Sequence, residues 1–282
     1  MKKILTCAAT VLTTLSALGL NANADDIFYG STNGSSIALI DASNASVLSN
    51  FELINTQTNN ALGTSLRITS NGTTIFGLSQ SGALYTLDLS HTVMDVNHTL
   101  GYDATLQSSG IGVSNIVGLA FVSPTLLDVS TSSSLFQYNT TTHSSSLLFN
   151  FANNTMIAGI AETPSALLGM QYSPSPGGVD QIGAGGAITQ GGRLQGVTQT
   201  AFLSLAMGQS GALYVSDGNN GLFTYNLTTE VYHPLGTLND ISVVNSFVAV
   251  PEPSLFVMFG LGVLALTRSV DLRRRWLVRC FA

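Results

Sequence analysis

The sequence predicts an all-β, β-propeller-like body of five four-stranded blades, followed by a C-terminal transmembrane helix. Three observations predict this. One pattern recurs five times: an apolar pair, a small or acidic residue, a polar Ser/Gly/Asn turn, then an alternating strand. Its copies start at Ile27, Ile75, Leu126, Leu167 and Leu213, spaced 48, 51, 41 and 46 residues apart. Four strands in about 40–50 residues is the spacing of a propeller blade. Between Asp25 and Val250 there is no strong helical pattern, whereas residues 255–266, LFVMFGLGVLAL, are continuously apolar.

In chain order, residues 1–24 read as a secretory signal peptide. Lys2 and Lys3 form its charged start and residues 4–20 its apolar stretch. Ala22-Asn23-Ala24 fits a small-x-small cleavage site, between Ala24 and Asp25. Residues 25–250 form the body. Each copy of the pattern reads as a hairpin whose second strand alternates, as in Leu84-Tyr85-Thr86-Leu87-Asp88 and Leu222-Phe223-Thr224-Tyr225-Asn226. Period-two alternation between Gly, Asn and Ser turns is the strand signal. A further strand precedes several hairpins (residues 117–121, 157–161 and 202–206), and another follows (145–151 and 231–238). The first copy lacks the preceding strand. Residues 244–251 resemble residues 116–124, so the last strand of the body is expected to complete the first blade and close the ring. The Gly-rich stretch 177–196 is expected to be a long loop.

Only 9% of the chain is charged and 45% is hydrophobic, against about 25% charged in ordinary soluble domains. With abundant Ser, Thr, Asn and Gly, this composition suits an extracellular β-rich protein. Between Asp25 and Val250 the basic residues are Arg67 and Arg193, against thirteen acids. Such a body is not a nucleic-acid binder, because phosphate binding needs clustered Lys and Arg. Cys7 leaves with the signal peptide and Cys280 lies in the tail, so the mature body has no cysteine for a disulfide or a thiolate metal site.

Asp41, Asp88 and Asp180 are read as ending second hairpin strands, where Asn139 and Asn226 stand in the other copies. A ring of carboxylates at one mouth is one reading. Turn chemistry, in which Asp and Asn accept local backbone donors, is the stronger one. Asp217-Gly218-Asn219-Asn220-Gly221 has the oxygen ligands of a calcium loop but reads better as a hairpin turn. His91, His98, His143 and His233 form no metal-ligand spacing, and His143 and His233 are expected in equivalent loops. No catalytic residue, metal site or cofactor is assigned.

The C-terminal tail, residues 251–282, carries the sharpest motif. Val250-Pro251-Glu252-Pro253 breaks regular structure. A span of about 254–272 would rise roughly 28 Å, near the roughly 30 Å hydrocarbon core. Arg268, Arg273, Arg274 and Arg275 flank its far side, which places that end in the cytoplasm. This order of features resembles the PEP-CTERM sorting signal of Gram-negative bacteria. The resemblance implies recognition of Val250, Pro251, Glu252 and Pro253 by an exosortase, a membrane-embedded sorting enzyme. It implies an inner-membrane-anchored intermediate, then release to the cell surface or extracellular matrix. Asp271 and residues 276–282 depart from the usual pattern. The expected role is non-enzymatic binding or structure, with extracellular polysaccharide as a partner. The alternative is an extracellular propeller-type hydrolase or lyase acting on sugars or lactones.

Overall fold

The computed structural model describes residues 26–32, 35–152, 155–173, 178–193, 202–208, 210–239, 241 and 243–250. The first unit holds β1 (Ile27–Thr32), β2 (Ser36–Asp41) and β3 (Ser46–Asn55), with the short β4 (Asn60–Ala61) folded back on β3. The second holds β5 (Leu66–Ser70), β6 (Ile75–Ser79), β7 (Leu84–Met94) and β8 (Leu100–Ser108). The third holds β9 (Ile116–Ser123), β10 (Leu126–Thr131), β11 (Ser134–Asn139) and β12 (Ser144–Asn150). The fourth holds β13 (Met156–Glu162), β14 (Leu167–Ser173), β15 (Gly178–Ile182) and the two-residue β16 (Ile188–Thr189). The fifth holds β17 (Phe202–Met207), β18 (Leu213–Asp217), β19 (Gly221–Asn226) and β20 (Val231–Thr237). The last strand, β21 (Val244–Ala249), pairs antiparallel with β1 and completes the first unit.

The inner strands β5, β9, β13, β17 and β21 each touch the next, and β21 touches β5, so the described strands form a closed, propeller-like ring. Five apolar clusters fill the seams. Phe28, Ile40, Tyr214 and Phe247 join the first and fifth units. Ile37, Leu53, Leu66 and Tyr102 join the first and second. Leu78, Leu84, Val129 and Tyr138 join the second and third. Leu135, Ile157, Ile160 and Ile182 join the third and fourth, and Leu168, Met170, Val179 and Tyr225 the fourth and fifth. Each such side chain, fully buried, contributes about 1.5–3 kcal/mol. The two-sided burial explains why the inner strands are apolar on both faces while β12 and β20 are exposed along most of their length.

The turns repeat because their chemistry repeats. Between β11 and β12, Asn139 Oδ1 accepts the Thr141 and Thr142 N–H groups at 2.8 and 3.0 Å. Between β19 and β20, Asn226 Oδ1 does the same for Thr228 and Thr229 at 2.9 and 3.0 Å. These turns end in a left-handed residue, His143 (φ 54°) or Glu230 (φ 57°), as the β2–β3 turn does in Ala45 (φ 51°).

Closure uses both ends of the body. β1 and β21 pair from Phe28↔Ala249 to Thr32↔Val244, and the Val250 N–H donates to Ile27 O at 2.8 Å. The Asp26 carboxylate, 6% exposed, reaches into the β17–β18 turn. There it accepts the Tyr214 hydroxyl at 2.7 Å, the Ser210 N–H at 3.2 Å and the Ser210 hydroxyl.

Two features differ from the sequence expectation. The first two units are not separate sheets: β3 and β8 pair in parallel over Glu52↔Gly101 to Asn55↔Ala104, which fuses them into one nine-stranded sheet. The other three sheets are four-stranded. Within the Gly-rich stretch 177–196, the described residues are not a plain loop. They supply β15, a 3₁₀ turn (Ala184–Gly186) and β16, and Arg193 is pinned to Asp180. Glycine is needed there for backbone proximity, since a Cβ on Gly191 would stand 2.1 Å from Val179 O.

Candidate functional site

Val250 is the last residue described, and its backbone belongs to the closing seam. Ala24, Asp25, Pro251, Glu252, Pro253, Arg268, Arg273, Arg274 and Arg275 lie outside the described residues, as does the expected span of about 254–272. Among the described residues, no helix is long and apolar enough to cross a membrane.

The structure does not bring Asp41, Asp88 and Asp180 together. Asp41 Oδ1 accepts the Ser43 N–H and hydroxyl at 2.9 and 2.6 Å. Asp88 Oδ1 accepts those of Ser90 at 3.0 and 2.5 Å. Asp41 is a turn carboxylate at the end of β2, whereas Asp88 does not end its strand: it lies inside β7, paired with Asp103 where the register shifts. Asp180 also lies inside its strand, paired with Gly169 in β15, and it is fully buried. Its Oδ1 accepts Arg193 Nη1 at 2.6 Å and the Gly191 N–H at 3.1 Å, while Arg193 Nη2 donates to Gln171 Oε1 at 2.8 Å. A buried carboxylate needs such donors, because desolvation otherwise penalises its charge.

The Asp217–Gly221 segment is a hairpin turn. Asp217 Oδ1 accepts the Asn219 and Gly221 N–H groups at 2.9 and 2.6 Å. Asp95 builds the same turn with Asn97 and Thr99 at 2.8 and 2.7 Å, and Asn220 and His98 share φ 62°. His143 does not match His233. It occupies the left-handed turn position, with its Nδ1 2.9 Å from the Tyr138 hydroxyl, whereas His233 lies in β20 opposite Thr224.

A different acid emerges at the channel. The inner strands enclose a cavity of about 160 Å³, lined by three consecutive residues from each. Glu162, at the end of β13, is the one ionisable side chain among its described lining residues. Asp128, on β10 of the neighbouring unit, is 5% exposed and accepts Gln137 Nε2 at 3.2 Å. Burial raises the Asp128 carboxyl above its ordinary range, while the Gln137 hydrogen bond opposes that rise. Burial raises Glu162 too, and the nearby Asp128 charge adds to it. Asp128 left a trace in the repeat. The residues paired with the middle lining residue of the other inner strands are Tyr29, Phe76, Leu168 and Tyr214, and the third unit has Asp128 instead. Arg67, also buried, donates to Asn245 O across the first seam, and desolvation lowers it to about 10.

Residues 249–275 match the family model of the PEP-CTERM protein-sorting motif. The chain therefore carries a PEP-CTERM sorting signal, which implies export and membrane-anchored processing by exosortase-type machinery in Gram-negative bacteria. No curated protein matches the chain. Among solved structures, a protein of unknown function from Bacteroides caccae is 12% identical with a TM-score of 0.41, over 74% of this chain and 71% of that one. A chain of the nidogen/laminin complex is 12% identical with a TM-score of 0.48, over 80% and 86% of the two chains. The β-propeller domain of Myceliophteria thermophila Cps50 (Swd1) is 11% identical with a TM-score of 0.38, over 64% and 56%.

Proposed function

We propose that the body is a five-bladed β-propeller, secreted by cleavage between Ala24 and Asp25. A helix of about residues 254–272 holds it at the inner membrane until an exosortase-type enzyme acts at Val250–Pro253. The released body then serves a binding or structural role at the cell surface or in the extracellular polysaccharide matrix. One observation carries this reading. The ring closes with β21, and the motif begins at Val250, whose N–H donates to Ile27 O at 2.8 Å. The last described strand ends where the motif starts, so loss of everything after Val250 removes none of the described strands.

The test is the mass of the exported protein and its C-terminal peptide. The expected species starts at Asp25 and ends near Pro251. An exported species that still ends at Ala282 overturns the sorting reading.

A catalytic reading, as an extracellular hydrolase or lyase on sugars or lactones, is favoured by the Glu162 carboxyl at the cavity alone. It requires turnover that Glu162→Gln abolishes.

A further inference from the structure

Between the fourth and fifth units lies a second cavity of about 230 Å³, away from the channel. Its floor is apolar: Leu168, Val179 and Tyr225 are 5%, 3% and 4% exposed. Its rim is polar and exposed, formed by Ser165, Gln181, Thr189, Gln190 and Glu230.

The wall is rigidly built. Gln190 leads into Gly191 and Gly192, whose N–H groups donate to Asp180 Oδ1 at 3.1 Å and to the Tyr225 hydroxyl at 2.8 Å. The Arg193–Asp180 ion pair at 2.6 Å then fixes the segment from below. A Cβ on Gly192 would stand 2.2 Å from Glu230 O, so the wall reaches the neighbouring unit backbone to backbone. A further cavity of about 440 Å³ shares Tyr225 and Leu227 and adds Thr224, Thr228 and His233. This larger cavity is lined by fifth-unit residues, and both cavities meet the β19–β20 turn at Leu227.

The chemistry of the cavity between the two units is selective. Amide and hydroxyl side chains both donate and accept, which matches the hydroxyls of a sugar. An apolar floor suits the C–H face of a sugar ring. The cavity is smaller than the roughly 300–1,000 Å³ of sites for larger ligands, so it takes one small unit at a time. Anionic ligands are disfavoured. Arg193 is committed to Asp180 and Gln171. The segment 25–250 carries thirteen acids against two arginines, which repels further negative charge.

We propose that the cavity between the fourth and fifth units binds neutral polysaccharide, with one sugar unit seated between Gln181, Gln190 and Glu230. The proposal rests on the surface or matrix reading above and names where that contact is made.

The experiment is native electrophoresis of the mature exported protein through gels containing dextran, galactomannan or xylan, with polygalacturonate as the acidic contrast. The expected result is retardation by at least one neutral glycan and none by polygalacturonate. Gln181→Ala combined with Gln190→Ala should weaken that retardation about tenfold. Both residues are exposed, so the melting temperature should not change, and Gln107→Ala, an exposed glutamine in the second unit, should bind like the parent. Equal retardation of parent and double variant overturns this site while leaving polysaccharide contact intact. No retardation by any neutral glycan, or stronger retardation by polygalacturonate, overturns the ligand class. The C-terminal mass measurement then judges the sorting reading independently.

Discussion

Asp128 stands where the other units place Tyr29, Phe76, Leu168 and Tyr214 against the inner strand. An acid in that apolar position changes the pH response of the body. Its folded-state pKa is raised by burial, so the folded body holds the proton more tightly than the unfolded chain. Just above the ordinary carboxylate range the unfolded chain thus binds fewer protons, and stability falls as pH rises through that window. Asp128→Asn removes the cost of the buried charge. The variant should melt higher than the parent at neutral pH, and the gain should disappear at about pH 3, where the acid is protonated in both states. A variant that melts lower at neutral pH contradicts this account. The burial of Asp128 was not legible in the sequence, because nothing in the alternation of β10 says what packs over that face. Asp41, Asn139 and Asn226 were legible as turn residues because their partners lie two or three residues away. Asp88 holds the same local bond to Ser90, yet its strand runs on to Met94, so the local pattern misplaced the strand end.

At the level of elements, the hairpins were readable because each carries its own turn chemistry and alternation. The pairing of β3 with β8 was not. It joins the outer strands of different units, and no local residue pattern encodes it. Gly101 is the residue that makes it possible, since a Cβ there would stand 2.5 Å from Glu52 O and 2.8 Å from the Ile54 side chain. Gly101→Val should force the two strands apart and cost about 1–3 kcal/mol, as overpacking does. Urea unfolding of the exported protein measures this, and an unchanged midpoint would show that the seam tolerates the side chain. The fourth unit was misread for a related reason. Its outer strands are short and the segments around them Gly-rich, and the buried Asp180–Arg193 ion pair helps hold them beside Val179 and Ile182.

For the molecule as a whole, one strand decides whether the five units act together. β21 supplies the inner strand of the first unit and meets both β17 and β5. A chain of residues 25–250 should unfold in one cooperative transition. A chain ending at residue 243 should lose that transition, because Phe28 and Tyr29 lose their partners in β21 and the first and fifth units lose Val244 and Phe247 from their shared core. Calorimetry of the two chains distinguishes them. A sharp transition in the shorter chain would mean that the ring is held by its seams alone. Closure was anticipated from the likeness of residues 244–251 to residues 116–124, a match of inner strand to inner strand.

The position of β21 also sets an order in time. If the chain is exported amino-end first, as proposed, every other described strand is available before residues 244–249 arrive, and the ring completes only with them. The next residues to follow are Val250 to Pro253. On that proposal, ring completion and presentation of the sorting motif are successive events drawn from neighbouring residues, and an enzyme engaging Val250 before it bonds Ile27 would compete with the last step of folding.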